Sequence, residues 1–92
     1  MPVVVVATIR PLPDRRAEVI AAIEATIAQV HAEDDGCLLY ALHEGPDRLV
    51  MIEKWESADA LKAHAASPHM AAYAAKTRPM IANRVVHVLA PT

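Results

Sequence analysis

The sequence predicts an α+β protein, a ferredoxin-like sandwich with element order β-α-β-β-α-β, and three observations carry that prediction. β-branched apolar runs lie near both ends, Val3 to Ile9 and Val85 to Leu89. Between them stand two helical stretches, the longer with apolar residues recurring every three to four positions. Two further apolar strands flank Gly45-Pro46-Asp47, a hairpin loop. This order is most often solved by a four-stranded antiparallel sheet with both helical elements on one face, and it satisfies the right-handed crossover rule.

Taken in order, Val3 to Ile9 is strand one, ended by Pro11 and Pro13. Asp14 is then placed to cap a helix from Arg15 to Ala32. Its apolar stripe is Ile20, Ile23, Ile27 and Val30, with Arg15, Arg16, Glu18 and Glu24 largely off it. Asp34-Asp35-Gly36 is a helix-ending turn. Cys37 to Glu44 is strand two and Arg48 to Glu56 strand three. Ser57 caps a helix to Ala66, with Asp59 in the first turn where the helix dipole favours an anion. Ser67-Pro68 restarts a helix that runs to about Lys76, and Pro79 breaks it. Val85 to Leu89 is strand four.

With 92 residues the chain is one domain, residues 1–92. Hydrophobic residues make up 54% but aromatics only 3%, with no Phe. The core is therefore built from small branched side chains, and any ring lining a cavity is Trp55, Tyr40 or Tyr73. A net charge of −2 without a basic run excludes nucleic acid as the expected partner. Cys37 is the single cysteine, so no internal disulfide forms and a reducing compartment is expected. The apolar run in MPVVVVATIR is too short for a signal peptide or a membrane span, and a cytoplasmic, soluble protein is expected. Strands one, three and four are apolar on both faces, yet helices cover only one face of such a sheet. The other face would be a large exposed apolar patch, and the simplest remedy is a homodimer, sheet against sheet.

The chemistry-bearing residues cluster where strand three meets the following helix. Glu53 and Trp55, two apart, point to one face of the strand, while Leu61 and His64, three apart, share one face of the helix. The crevice between them gathers a ring that can stack on a flat ligand, a carboxylate and a proton acceptor. A carboxylate interrupting an apolar strand needs a partner or a raised pKa. Each residue also has a plain structural reading: His64 as a hydrogen-bonded helix histidine, Trp55 as a core plug, Tyr40 as a core tyrosine. No metal site is expected, because His64 and His69 are five apart with Pro68 between them, which is not the spacing of a ligand pair on one helix face. Phosphate loops, nucleophile elbows and dinucleotide fingerprints are missing.

The pattern resembles the antibiotic biosynthesis monooxygenase family, which includes quinol monooxygenases. The resemblance runs along nearly the whole chain. It rests on Arg10-Pro11-Leu12-Pro13 after the first strand, Gly36-Cys37-Leu38-Leu39-Tyr40, Glu53-Lys54-Trp55, Ala60-Leu61-Lys62-Ala63-His64, Ser67-Pro68-His69-Met70 and the Val-rich last strand. It implies a dimeric α/β-barrel with a pocket between sheet and helices in each protomer. It also implies oxidation of a small phenolic, quinol or anthrone-like aromatic by O2 with no metal, flavin or other cofactor. In that chemistry His64 would accept the proton, Trp55 and Tyr40 would line the substrate pocket, and Glu53 would orient or polarise. Haem-degrading relatives carry an Asn on the first strand; Val3 to Ile9 has none, so haem degradation is not expected. Two other readings stand beside this one: a non-catalytic dimeric domain that binds a small ligand, and an isomerase using the same His and Glu to move protons.

Overall fold

A computed structural model describes residues 1–92. We label its elements β1 (Val3–Pro11), α1 (Arg16–Glu33), β2 (Cys37–Glu44), β3 (Leu49–Trp55), α2 (Ala58–Ala65), α3 (Pro68–Thr77) and β4 (Ile81–Leu89). The four strands form one antiparallel sheet in the order β2-β3-β1-β4, and the helices lie on one face of it. This is the ferredoxin-like α+β fold the sequence predicts. Each central strand pairs on both sides, so the backbone groups of the apolar β1 and β3 are satisfied within the sheet.

Alternation along the strands separates the two faces. Val5, Ala7 and Ile9 of β1, with Leu49, Met51, Glu53 and Trp55 of β3, are buried toward the helices. Register sets Val5 beside Glu53 and Glu53 beside Tyr40, all on that inner face. Trp55, Leu49, Val19 and Val30 are the largest fully buried side chains. Burying each stabilises the fold by roughly 1.5–3 kcal/mol. The outer face carries no helix. Val4, Val6, Val50 and Ile52 stand on its central strands, half-buried only by each other, and Leu39, Val85 and Leu89 flank them on the exposed edges.

Several elements depart from the sequence expectation. Asp14 does not cap α1; it lies in a short 3-10 turn, Pro13–Arg15, and no side chain caps the helix that follows. Two prolines within three residues cannot donate backbone N–H groups, so the chain tightens into that turn before the α-helix begins. The buried face of α1 is Val19, Ala22, Ile23, Thr26 and Val30, while Ile20 and Ile27 sit half-buried at its border. Thr26 is tolerated there because its hydroxyl donates to the Ala22 carbonyl at 2.8 Å. β4 starts at Ile81 rather than Val85. Asn83 and Arg84 carry little intrinsic strand preference, but pairing with Arg10 and Ile9 holds them in the sheet.

The caps on the second helical pair follow the expectation. The Ser57 hydroxyl accepts from the Ala60 N–H at 3.1 Å, and the Ser67 hydroxyl accepts from the Met70 N–H at 3.3 Å. Ser67 also donates to the His64 carbonyl at 2.7 Å, so one side chain closes α2 and opens α3. Gly36 takes φ +80, and a Cβ there would meet the Ala60 Cβ at 2.8 Å. Only glycine permits α2 to approach the α1–β2 turn so closely. No helix is long and apolar enough to cross a membrane.

Candidate active site

Between the inner face of the sheet and the helices lies a cavity of about 770 Å³, within the ~300–1,000 Å³ range of small-molecule sites. Val5, Ala7 and Met51 of the inner sheet face line it, with Tyr40, Glu53 and His64 and with Arg78, Asn83 and Arg84. Val86 and Val88 complete the wall along β4, where no helix covers the sheet and both valines are exposed. The lining is mostly apolar, with polar and charged side chains set among the apolar ones, and the cavity is open to solvent along β4.

His64 is 4% exposed and is one of the residues lining the cavity. Its Nδ1 lies 2.6 Å from Asp34 Oδ2. The carboxylate oxygen accepts, so Nδ1 carries the proton and donates. Nε2 makes no hydrogen bond within the chain, and His64 faces the cavity. A neutral ring held this way keeps Nε2 as its basic nitrogen. His69 Nε2 lies 2.9 Å from the same Asp34 Oδ2, and each of the three side chains is less than a tenth exposed. Burial pushes the Asp34 carboxyl upward, but the hydrogen bonds from His64 and His69 outweigh it and hold the pKa below the usual aspartate value.

Trp55 does not line the cavity. It is fully buried behind the site, its ring 4.4 Å from that of His64. Its Nε1–H donates to Glu53 Oε1 at 3.0 Å. That bond satisfies a buried indole and gives the Glu53 carboxylate its partner. Burial raises the Glu53 pKa, against the lowering effect of the Trp55 hydrogen bond and of the His64 and Arg84 charges. Tyr40 packs edge-on to both rings, with centroids 5.3 Å from His64 and 6.1 Å from Trp55. Its phenol, buried, is pushed well above the usual tyrosine range and stays protonated. The only partner of its hydroxyl is the Met70 sulfur at 3.9 Å, a weak acceptor. A stronger acceptor on a ligand would therefore be welcome there.

The structure thus brings together all four residues singled out from the sequence: His64, Glu53 and Tyr40 at the cavity, Trp55 behind it. Two more residues belong to the site. Asp34 reads in the sequence only as part of a turn, and His69 stands five residues from His64, about 140° around a continuous helix. The helix is not continuous: the Ser67 corner turns the chain, and both rings converge on Asp34. The signal that could have found the pair is Ser67-Pro68 itself, a corner between two histidines. Asp34, His64 and His69 also form a donor set that could hold a metal. Ligands 2.0–2.1 Å from a tetrahedral ion stand ~3.3 Å apart. The separations of 2.6 and 2.9 Å from the shared Oδ2 suit protons between the atoms rather than an ion among them.

Comparison with known proteins bears on the family and the fold. The model of the antibiotic biosynthesis monooxygenase family matches residues 2–76. Rv0793 of Mycobacterium tuberculosis, named a putative monooxygenase, is 41% identical over 93 residues, covering 98% of this chain and 91% of its own. The solved structure of Rv0793 superposes with a TM-score of 0.93 at 36% identity, over 100% of this chain and 96% of that one. A Caulobacter crescentus structure bearing the family's name gives 0.94 at 29% identity, over 99% and 90%. Escherichia coli YgiN, named a probable quinol monooxygenase, is 41% identical over 46 residues, half of this chain and 44% of its own. An α+β sandwich with an apolar cavity under its helices is the class that fold and site define. The chain belongs to the antibiotic biosynthesis monooxygenase family.

Proposed function

We propose that this protein is a cofactor-independent monooxygenase that oxidises a small phenolic, quinol or anthrone-like aromatic with O2. The observation that carries the reading is His64: a buried histidine on the cavity lining, with Nδ1 committed to Asp34 and Nε2 without a hydrogen-bond partner in the chain. In the reaction, Nε2 takes a proton from the electron-rich substrate. The substrate anion gives one electron to O2, and the two radicals join as a carbon–oxygen bond. The peroxide takes the proton back from His64, its O–O bond breaks, and water leaves with loss of the second proton from that carbon. In an anthrone-like substrate a CH2 thereby becomes a C=O, one oxygen atom staying in the product and the other ending in water; a phenol follows the same course at the ring carbon that is a CH2 in its keto form. The protein's part is to bind, orient, exclude water and hold one proton. Tyr40 would donate to the oxygen on which charge develops, and Glu53 would position the ring and support the imidazolium that forms on His64.

A homodimer belongs to the same proposal. The outer sheet face, with Val4, Val6, Val50 and Ile52 at its centre, suits a second copy. The partner would complete the barrel the resemblance implies.

The test is oxygen consumption with a panel of hydroquinones and anthrones. Wild type should turn over at least one, and His64→Ala should lower kcat by ~10²–10⁴, the range for a lost general base. Tight binding without oxygen uptake would instead support a ligand-binding domain, and a rearranged product without uptake an isomerase.

A further inference from the structure

We propose that Asp34 is the positioning residue of this site, fixing His64 as the tautomer whose bare Nε2 meets the substrate, with His69 as the second donor that holds Asp34 in place. The assignment rests on His64 being the base of the proposed reaction. Asp34 is the last residue bounding α1, its backbone N–H spent on the Val30 carbonyl at 2.9 Å. Its side chain is therefore free to reach the α2–α3 corner, which Ser67 closes by donating to the His64 carbonyl. His64 Nδ1 and His69 Nε2 meet the same oxygen, at 2.6 and 2.9 Å. A carboxylate oxygen accepts only, so both nitrogens must carry protons. One neutral imidazole has one N–H; a proton on Nδ1 of His64 leaves Nε2 bare. A base presented in the wrong tautomer would put an N–H against the substrate and could accept nothing.

Neither Asp34 nor His69 lines the main cavity. His69 instead borders a second cleft of about 180 Å³ between α1 and α3, beside Gln29 and Lys76. The clamp thus acts from behind the base and leaves substrate contacts untouched. Leucine in place of Asp34 fills much of the same space and offers no acceptor. Nδ1 of His64 then has no partner that requires its proton, and the ring is free to carry it on Nε2.

Two measurements on the full protein decide the matter. Long-range proton–nitrogen correlation NMR of 15N-histidine protein reads the tautomer of His64 directly and needs no substrate. Wild type should show Nδ1–H with bare Nε2, and Asp34→Leu should show His64 protonated mainly at Nε2. In turnover, Asp34→Leu should lower kcat by about 10²-fold or more and leave KM within about threefold. His69→Gln, which keeps an N–H donor, should recover most of the kcat lost in His69→Leu. A wild-type His64 protonated at Nε2 would overturn the proposal, as would an Asp34→Leu enzyme with undiminished kcat. If no substrate is oxidised even by wild type, the monooxygenase reading fails, while the NMR spectrum still decides on the clamp.

Discussion

At the residue scale, the two carboxylates of the site sit in opposite electrostatic situations. Glu53 has a raised pKa because it is buried. The folded state keeps its proton to a higher pH than the unfolded chain does. Falling pH therefore adds stability at this group as it passes from the raised folded value to the ordinary glutamate value. Asp34 is lowered by its two histidine donors, so its contribution is complete above the ordinary aspartate value and is lost as pH falls through its lowered one. Glu53→Gln keeps the oxygen that accepts from Trp55 and removes the buried charge. It should raise stability at pH 8 by roughly 0.5–2 kcal/mol, with the gain vanishing near pH 4, and should cost less activity than His64→Ala. Trp55→Phe should do the reverse. It removes the only hydrogen-bond donor to Glu53 and shrinks a fully buried side chain, at a cost of about 2–3 kcal/mol. Thermal or urea unfolding of both variants at the two pH values checks the signs; changes of the same sign at pH 8 would contradict this account of the Glu53–Trp55 pair.

Among the elements, much was legible in the sequence, and what was not has definite causes. β2 reads correctly to the residue because Gly36 and Gly45 punctuate it at both ends. The two serine caps were visible because Ser before a helix, and Ser-Pro above all, have a local mechanism. β4 was cut short because Ala82, Asn83 and Arg84 are strand by pairing, not by preference. The candidate site was half legible. Strand and helix periodicity brought Glu53, Trp55 and His64 together, whereas Asp34 and His69 join only through a corner and a turn that periodicity does not describe. That turn makes its own prediction. Gly36→Ala would place a Cβ 2.8 Å from Ala60 and 2.9 Å from Glu56, at a positive φ. It should destabilise the fold by about 1–3 kcal/mol and displace α2, the helix that carries His64. An unchanged melting temperature would show that α2 has room to move.

For the whole molecule, register resolves which valines face which way. Val4 and Val6 look outward, while Val86 and Val88 border the cavity. Charges on the two sets should have different consequences. Val6→Lys should make the proposed dimer monomeric in sedimentation at micromolar concentration, because an unpaired buried charge costs several kcal/mol by order of magnitude. Val88→Lys should leave the association state alone and weaken binding of an apolar ligand. A wild type that sediments as a monomer would remove the dimer. Across fold, cavity and base, the central claim is that His64 makes the substrate anion and that the anion itself, with no resident cofactor, reduces O2. Anaerobic stopped-flow absorbance with an anthrone measures this most directly. The account predicts that wild type forms the anion's absorption band in the absence of O2, that admitting O2 discharges the band, and that His64→Ala forms almost none. Oxygen consumption by an enzyme that forms no anion anaerobically, or a band undiminished in His64→Ala, would contradict it.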